Sequence, residues 1–324
     1  MKKIAIIGAG QLGSRHLQGI AQCGFDVSIE VVEPYESSRK TAKERYEQIE
    51  NRAFVKKIEF FSSIKQLSSS LDLVIVATSA DVRHKVMKEL LESKTVANLV
   101  LEKVLFQTID AYDEMEKLLK KKQTSCWVNH ARRMYPFYHK LKKLLSDAKQ
   151  VSYSVQGGDW GLACNSLHFI DHLSFLTDTL NVTLYNHLLD TKLYDSKRKG
   201  FVEFNGLLVG KMGKHSFSLY SNEQQTPLIF SIVSDTIAVK IDEGAGKVHM
   251  ARKEDEWKWT TVEEKIVYFQ SELSQVLAED ILVKKEVSLP TYAMAKALHV
   301  PYINCLLDKM QEINGERSTV CPIT

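Results

Sequence analysis

The sequence lacks the features that point to a membrane, an oxidising compartment or a polyanionic partner. Its five cysteines are scattered and form no C-x-x-C pair, so we expect no structural zinc and a reduced, cytoplasmic environment. No apolar run is long enough to span a bilayer, and no signal peptide is expected, because Met1-Lys2-Lys3 leads straight into a predicted strand. A net charge of +3 is too small to favour nucleic acid or a membrane surface as a partner.

A glycine-rich turn follows the first apolar run. Residues 4–7 are apolar and indicate a buried parallel strand, which ends in a G-x-G-x-x-G pattern. In this pattern the first glycine allows a tight turn, the second lets the backbone approach a pyrophosphate, and the third lets the next helix pack on the sheet. The phosphates lie on the free N–H groups at the start of that helix. The predicted dinucleotide-binding residues of this turn are Gly8, Gly10, Gln11, Leu12 and Gly13.

An acidic residue follows at the end of the second predicted strand. A strand is predicted at Val27–Val32 and leads into Glu33, 20 residues after Gly13, the spacing at which an acid hydrogen-bonds the adenosine ribose. A carboxylate here repels a 2′-phosphate, so the sequence favours NAD over NADP, and Arg39 and Lys40 keep NADP open. The alternative is an ordinary glycine-rich turn and an ordinary strand-end carboxylate.

Strands and helices alternate up to residue 129, which favours a doubly wound parallel sheet of the Rossmann type. The pattern predicts strands at 58–61, 71–77, 98–103 and 125–129, and helices at 36–52, 82–93 and 108–121. In the helix at 82–93, Val82, Val86 and Leu90 form the apolar stripe. Ligands bind beyond the carboxyl ends of parallel strands. The residues expected along that edge are Thr78, Ser79, Glu102, Lys103 and His130.

The pattern changes after residue 129. A linking helix is predicted at 132–146, an apolar helix at 166–176 and closing helices at 262–282 and 292–313, with strand-like runs between them. This order is typical of an α+β domain with a mostly antiparallel, open sheet. A chain of 324 residues can hold two domains. We therefore predict a dinucleotide-binding domain over residues 1–129 and a substrate-binding and oligomerisation domain over residues 130–324.

The order and spacing of the motifs resemble those of the glucose–fructose oxidoreductase/inositol dehydrogenase (Gfo/Idh/MocA) family over nearly the whole chain. The residues that carry the resemblance are Gly8–Gly13 and Glu33, Thr78-Ser79 with His84, Glu102-Lys103, Arg132-Arg133 with Pro136, the segment 164–171, and residues 289–292 with His299. The resemblance implies an NAD(P)-dependent oxidoreductase that acts on a hydroxyl or keto carbon of a sugar, sugar phosphate or nucleotide sugar. It also implies that Thr78, Ser79, His84 and Glu102 contact the cofactor.

Lys103 and His168 are the catalytic residues that the resemblance implies. An alcohol must lose a proton as its carbon gives up hydride, so a base or an electrostatic stabiliser is needed beside it. Lys103 is a cation at the expected ligand-binding edge, and the alternative for it is a surface lysine. His168 lies three residues before Asp171 and four before His172, which predicts that all three share a helix face. The alternative for both histidines is a hydrogen-bonded position in the core.

The remaining predicted site residues would contact the substrate. Trp160 would form an apolar wall for a sugar ring, and the alternative is that it is an aromatic side chain of the core. Arg132 and Arg133 would hold a phosphate or a carboxylate, or else form a salt bridge between the domains. Asn165, Asp171 and His172 complete the predicted substrate-binding residues. The spacing of His168, Asp171 and His172 is compatible with zinc, but the resemblance implies no metal.

Two departures from the family pattern keep other functions open. Val104 stands where the family has a proline after the lysine, and Cys164 stands where the family has the first acid of the helix motif. These changes motivate one alternative, a non-catalytic NAD(P)-binding sugar sensor or regulator, and a biliverdin-reductase-like or imine-reducing enzyme on the same scaffold is a second. Whatever the function, we expect a homodimer or homotetramer formed through the carboxy-terminal sheet, because an exposed apolar sheet face needs cover.

Overall fold

A computed structural model describes residues 1–324 as two units. The first unit comprises Met1–Phe106, Asp110–Ala131 and Tyr268–Ala293, and the second comprises Gln107–Ile109, Arg132–Val267 and Met294–Thr324. The predicted boundary after residue 129 falls beside the change of unit at residue 131. Residues 268–293, which the prediction assigned to the second domain, lie in the first unit. None of the helices is both long and apolar enough to cross a membrane.

The first unit contains a parallel sheet of six strands. The strands are β1 (Lys2–Ile7), β2 (Val27–Val32), β3 (Val55–Phe61), β4 (Ser70–Val76), β5 (Thr95–Leu101) and β6 (Ser125–Val128). Their order in the six-stranded sheet is β3-β2-β1-β4-β5-β6, and every pairing is parallel. This is the doubly wound order, which reverses between β1 and β4. The Rossmann prediction for this region is confirmed.

Helices connect these strands. They are α1 (Gln11–Ile20), α2 (Glu36–Glu47), α3 (Ala80–Ser93) and α4 (Ile109–Lys122). In the predicted apolar stripe of α3, Leu90 is buried as expected, but Val82 is 43% exposed, and Arg83 and Met87 are buried beside Leu90 instead. Helix α2 ends at Glu47, before the predicted residue 52, and Asn51 Oδ1 then accepts a hydrogen bond from Ala53 N–H in a turn.

The second unit contains a larger, mostly antiparallel sheet. Its strands are β7 (Val151–Gly158), β8 (Val182–Tyr185), β11 (Gly206–Met212), β12 (His215–Ser221), β13 (Thr226–Ser234), β14 (Ile237–Asp242), β15 (Lys247–Arg252) and β16 (Trp259–Glu263). A separate two-stranded ribbon is formed by β9 (Tyr194–Asp195) and β10 (Val202–Glu203). The eight-stranded order is β16-β15-β14-β13-β7-β12-β11-β8, and only β7 and β12 pair in parallel. The predicted α+β class is confirmed.

One face of this sheet is buried by helices. Helix α5 (Pro136–Leu144) and helix α6 (Leu162–Thr177) pack together, and α6 lies against β7 and β12. Along β7, Val151, Tyr153 and Val155 are buried while the residues between them point to the opposite face. Helix α8 (Tyr292–Asn314) is the long closing helix, as predicted.

Two predicted helices have different starts. The helix expected at 132–146 is a 3-10 turn, Ala131–Met134, followed by α5, because Pro136 keeps Tyr135 extended and suits only the first helical turn. The helix expected at 262–282 begins only at Gln270, as α7 (Gln270–Glu279), because Trp259–Glu263 pairs with β15 as an edge strand. A carboxylate oxygen of Glu272 accepts the Phe269 N–H bond and fixes the start of α7.

Candidate functional site

The glycine turn has the geometry that the motif predicts. Gly8 has a φ of +85°, and a Cβ there would lie 2.9 Å from Thr78 N. A Cβ on Gly13 would overlap the carbonyl oxygen of Gly8, so only glycine fits where α1 crosses the turn. At Gly10 a Cβ would meet no atom within 4 Å. The turn is therefore packed on its inner side and open at Gly10, where the first N–H groups of α1 have no partner within the helix.

Glu33 is held beside this turn. Its side chain is buried; Oε2 accepts a hydrogen bond from Ala9 N–H at 2.9 Å and Oε1 accepts one from Tyr35 N–H at 3.1 Å. Each carboxylate oxygen can accept more than one bond, so a ribose hydroxyl can still donate to Glu33. The Arg39 guanidinium donates to the Glu33 and Pro34 carbonyl oxygens at 2.6 and 2.7 Å. A cation therefore also stands at the end of β2.

Thr78 and Ser79 follow β4, as predicted. Ser79 is the extended residue that precedes α3, and the Thr78 carbonyl oxygen accepts a hydrogen bond from Arg83. Thr78 Oγ1 is buried and has no hydrogen-bond partner within the chain. A buried hydroxyl beside Gly8 without a partner fits a ligand at this edge. His84, by contrast, is bonded to Glu114 of α4 through Nε2 at 2.9 Å.

Glu102 lies in a closed ring of hydrogen bonds that the sequence did not reveal. Its Oε1 contacts His16 Nε2 at 2.9 Å and accepts from Asn129 Nδ2 at 2.6 Å. Asn129 Nδ2 also donates to Gln270 Oε1, Gln270 Nε2 donates to Ser274 Oγ, and Ser274 Oγ contacts His16 Nδ1 at 2.8 Å. The ring joins the ends of β5 and β6 to helices α1 and α7.

The protons of this ring can be counted. Ser274 Oγ donates its hydrogen to the Gln270 carbonyl oxygen, so His16 Nδ1 must donate to Ser274. Burial raises the pKa of Glu102, but the bonds from His16 and Asn129 and the charge of Arg83 outweigh it, and the pKa lies below its ordinary value. The ring thus anchors the residue that precedes Lys103.

Lys103 follows β5 at the same edge of the sheet. Its side chain is half-buried, its peptide bond to Val104 is cis, and the three residues after it are buried. The Arg83 guanidinium, itself 1% exposed, donates hydrogen bonds to the carbonyl oxygens of Val104, Leu105 and Thr78. The sequence analysis did not identify Arg83. The only indication in the sequence is that Arg83 lies at helical spacing from Met87 and Leu90, on the same face of α3.

In the second unit, helix α6 separates the predicted site residues into two groups. Asn165 and His168 are the only residues between Leu162 and Leu176 of α6 that are not buried. Asp171 and His172 are 1% and 0% exposed. The predicted common face of His168, Asp171 and His172 is therefore divided by packing, and His168 is the accessible member. Asn165 Nδ2 donates to the Trp160 carbonyl oxygen at 2.6 Å.

Asp171 and His172 have protein partners in the core. Arg133 donates from Nε and Nη2 to the two oxygens of Asp171 at 2.8 and 2.9 Å. His172 Nδ1 contacts the Tyr153 hydroxyl at 3.0 Å, while its Nε2 is buried without a partner. Burial, assisted by the charges of Arg132 and Arg133, holds the pKa of His172 well below its ordinary value. His172 is therefore neutral at neutral pH.

Arg132 and Trp160 also have partners within the second unit. Arg132 donates to both oxygens of Glu243 at 2.9 and 2.6 Å, and the Tyr138 hydroxyl donates to the same carboxylate. Burial lowers the pKa of Arg132, but Glu243 outweighs it and keeps the guanidinium charged. Trp160 Nε1 donates to the Tyr220 carbonyl oxygen at 2.7 Å. The assignment of these residues to a substrate stays a prediction.

Glu203 is a further residue that the sequence did not single out. From β10 it accepts hydrogen bonds from Ala163 N–H at 2.7 Å and Cys164 N–H at 3.3 Å, at the start of α6. Burial raises its pKa despite these bonds and one from the Cys164 side chain. A carboxylate therefore stands beside Cys164. No cluster of three or more histidine, cysteine or acidic side chains has the geometry to hold a metal ion.

Comparison with known proteins identifies the amino-terminal region. Residues 2–130 match the family model described as the oxidoreductase family with an NAD-binding Rossmann fold, Gfo/Idh/MocA. This match confirms the predicted resemblance and an NAD-type dinucleotide as the cofactor. No curated protein sequence matches the chain significantly.

Several solved structures share the fold over nearly the whole chain. UDP-N-acetylglucosamine 3-dehydrogenase GnnA from Acidithiobacillus ferrooxidans is 12% identical, with a TM-score of 0.68 and coverage of 94% of this chain and 96% of that one. A super-repressor mutant of Gal80p from Saccharomyces cerevisiae is 16% identical, with a TM-score of 0.72 and coverage of 96% of both chains. Biliverdin reductase from Synechocystis sp. PCC 6803, in complex with biliverdin and NADP+, is 13% identical, with a TM-score of 0.68 and coverage of 96% and 99%. At these identities the likeness shows the fold alone.

Proposed function

We propose, on the premise that residues 2–130 match the Gfo/Idh/MocA oxidoreductase family, that the chain is an NAD(P)-dependent dehydrogenase acting on CH–OH groups. Its substrate would be a sugar, a sugar phosphate or a nucleotide sugar. The observation that carries the proposal is the open side of the glycine turn at Gly10, next to the unpartnered hydroxyl of Thr78. Both features suit the phosphates and ribose of a dinucleotide.

Each group of residues has a separate task in this proposal. The turn at 8–13 holds the pyrophosphate, and Glu33 accepts hydrogen bonds from the adenosine ribose. When bound, the nicotinamide accepts or supplies the hydride. Lys103 takes or gives the hydroxyl proton, or stabilises the alkoxide charge, and His168 is its partner. His168 is the one predicted histidine of α6 that is accessible to a substrate.

The first experiment measures cofactor binding and turnover separately. Titration of the purified protein with NADH and with NADPH, followed by fluorescence, gives the two dissociation constants. A panel of sugars, sugar phosphates and nucleotide sugars is then tested for a change in absorbance at the nicotinamide band. Lys103→Ala should retain cofactor binding within about twofold and lose turnover by about 100-fold or more. Equal turnover in this variant would remove Lys103 from the mechanism, and no binding of either dinucleotide would overturn the proposal.

A non-catalytic sensor or regulator is the second candidate. Val104 and Cys164 depart from the family pattern at the two proposed catalytic segments, and Gal80p is among the structures with the same fold. Tight binding of a dinucleotide without turnover of any panel member would favour this candidate. Oxidation of NADPH with biliverdin or an imine, and not with a sugar, would instead favour a reductase of non-sugar substrates.

The second unit also suggests the assembly. Strand register places five exposed apolar side chains on one face of its eight-stranded sheet: Tyr185, Tyr220, Ile229, Val233 and Trp259. An apolar face of this extent needs cover, so we propose a homodimer or homotetramer formed through it. Light scattering should give at least twice the 36.9 kDa chain mass, and Val233→Glu should lower it. Because none of the five cysteines forms a disulfide, we propose the cytoplasm as its location.

A further inference from the structure

We propose that Arg83 is a positioning residue for Lys103. This inference rests on the proposed function, in which Lys103 transfers the proton or stabilises the alkoxide. Arg83 belongs to helix α3, and its guanidinium spans two loops at the carboxyl edge of the sheet. One loop follows β4 and contains Thr78, and the other follows β5 and contains Lys103.

The contacts of Arg83 define what it holds. Nη1 donates to the carbonyl oxygens of Val104 and Leu105, the latter at 3.1 Å, and Nη2 donates to the carbonyl oxygen of Thr78. A guanidinium is a planar fork with donors in fixed directions, so it can fix several carbonyl groups relative to one another. A lysine at this position would be a single point charge without that geometry.

Arg83 is costly to bury, which argues against an incidental role. The side chain is 1% exposed, and the described hydrogen bonds of its guanidinium go to carbonyl oxygens. Removing a cation from water is unfavourable unless nearby groups compensate. The charge of Arg83 is felt by Glu102, whose pKa it helps to lower. Arg83 therefore interacts with the residue before Lys103 and with the two residues after it.

Lys103 is consequently restrained from both sides. Glu102 is anchored by His16 and Asn129, at 2.9 and 2.6 Å. Val104 is anchored through its carbonyl oxygen by Arg83. Because Val104 lacks the ring by which a proline would fix φ, the turn depends on outside contacts for its conformation. Arg83 supplies these contacts and so fixes the backbone position from which the Lys103 side chain extends.

The test compares Arg83→Met and Arg83→Lys with the wild-type protein. Arg83→Met keeps the apolar stem and removes every hydrogen bond, whereas Arg83→Lys keeps a charge and removes the fork. The matched control is Arg52→Met, since Arg52 lies over the ring of Tyr46 with its guanidinium 4.8 Å from the ring centre. Thermal unfolding and NADH titration establish that each variant is folded and binds cofactor.

The first readout is steady-state turnover on a substrate found in the panel. A displacement of about 1 Å in a catalytic group costs about 100-fold in rate. We therefore expect kcat of Arg83→Met to fall by about 100-fold, with the KM for NADH within about twofold of wild type. Arg83→Lys should recover part of the loss, and Arg52→Met should match wild type. A proportional fall in NADH affinity and kcat would indicate a merely structural role and overturn the inference.

The second readout needs no substrate. Trace acetic anhydride labels each lysine according to its access and its fraction of free amine, and mass spectrometry of peptides gives the rate for Lys103 relative to the exposed Lys258. In Arg83→Met this relative rate should change by at least about threefold, because a neighbouring cation and the backbone anchors are both lost. An unchanged rate in folded Arg83→Met and Arg83→Lys would overturn the inference. If no panel member is turned over, the proposed function fails while this readout still tests Arg83.

Discussion

At the carboxyl edge of the first unit, buried polar groups anchor the backbone and leave an opening for a ligand. The glycine turn is open at Gly10, and the Thr78 hydroxyl lacks a protein partner. Around helix α6 of the second unit, Asp171 and His172 are instead bonded to protein partners in the core, Arg133 and Tyr153. Of the residues assigned to that helix, only Asn165 and His168 stay accessible. The difference shows that buried and accessible polar residues must be distinguished before they are assigned to a site.

The largest expected effect concerns the buried Arg133–Asp171 pair. Asp171→Asn leaves the Arg133 cation in the core with weakened bonds, so the free energy of unfolding should fall by about 3–5 kcal/mol. Burial raises the pKa of Asp171 although Arg133 acts to lower it, and apolar residues of similar volume often replace a buried ion pair without loss of stability. The double variant Arg133→Met/Asp171→Leu should therefore lose much less stability than Asp171→Asn. Denaturant unfolding measures both, and a double variant that is less stable than the single one would contradict this reasoning.

The two histidines of α6 should then respond differently. If His168 acts as proposed, His168→Gln should lower turnover by about 100-fold or more, with little change in the unfolding midpoint because the side chain is not buried. His172→Gln removes a buried contact to Tyr153 and should instead cost about 1–3 kcal/mol in unfolding free energy. Activity assays and denaturant curves on the same two variants separate these outcomes. If His168→Gln were destabilised and His172→Gln inactive but stable, the division by burial would be wrong.

Much of the fold follows from local patterns, and the errors have physical causes. Continuous apolar strands and the glycine turn predicted the parallel sheet, because both signals depend on neighbouring residues alone. The stripe of α3 was misplaced because Arg83 occupies the buried face and valine stands at an exposed position. The late start of α7 depends on pairing between β15 and β16, which is a contact between distant segments.

The candidate site, like the fold, was predictable only in part. The spacing in sequence between the turn at 8–13 and Glu33 predicted that they lie together, and the structure shows this contact. His16 and Arg83 were not identifiable, because each acts through carbonyl or carboxylate groups far along the chain. The helical spacing of residues 168, 171 and 172 was compatible with one face, but it could not show which of them the sheet would bury.

A smaller effect tests the choice of dinucleotide at the first unit. Glu33→Gln removes the negative charge while keeping the acceptor for Ala9 N–H. The repulsion of a 2′-phosphate is then lost and Arg39 remains at the end of β2, so the ratio of NADPH to NADH affinity should rise by about tenfold. Fluorescence titrations with both reduced dinucleotides measure the ratio. Arg39→Met should move the ratio in the opposite direction, and no change in either variant would exclude this region from specificity.

The smallest effect is the pH dependence that distinguishes the two units. The pKa of His172 is lowered in the folded protein, so the unfolded chain binds more protons below about pH 6.5 and stability falls there, by at most about 1.4 kcal/mol per pH unit. The pKa of Glu102 is also lowered, but the unfolded value is about 4.3, so its contribution is lost only at more acidic pH. Denaturant unfolding between pH 4.5 and 7.5 of wild type and His172→Phe measures the contribution of His172. His172→Phe should flatten the slope below about pH 6.5. A slope that persists in His172→Phe would assign the acid sensitivity to another group.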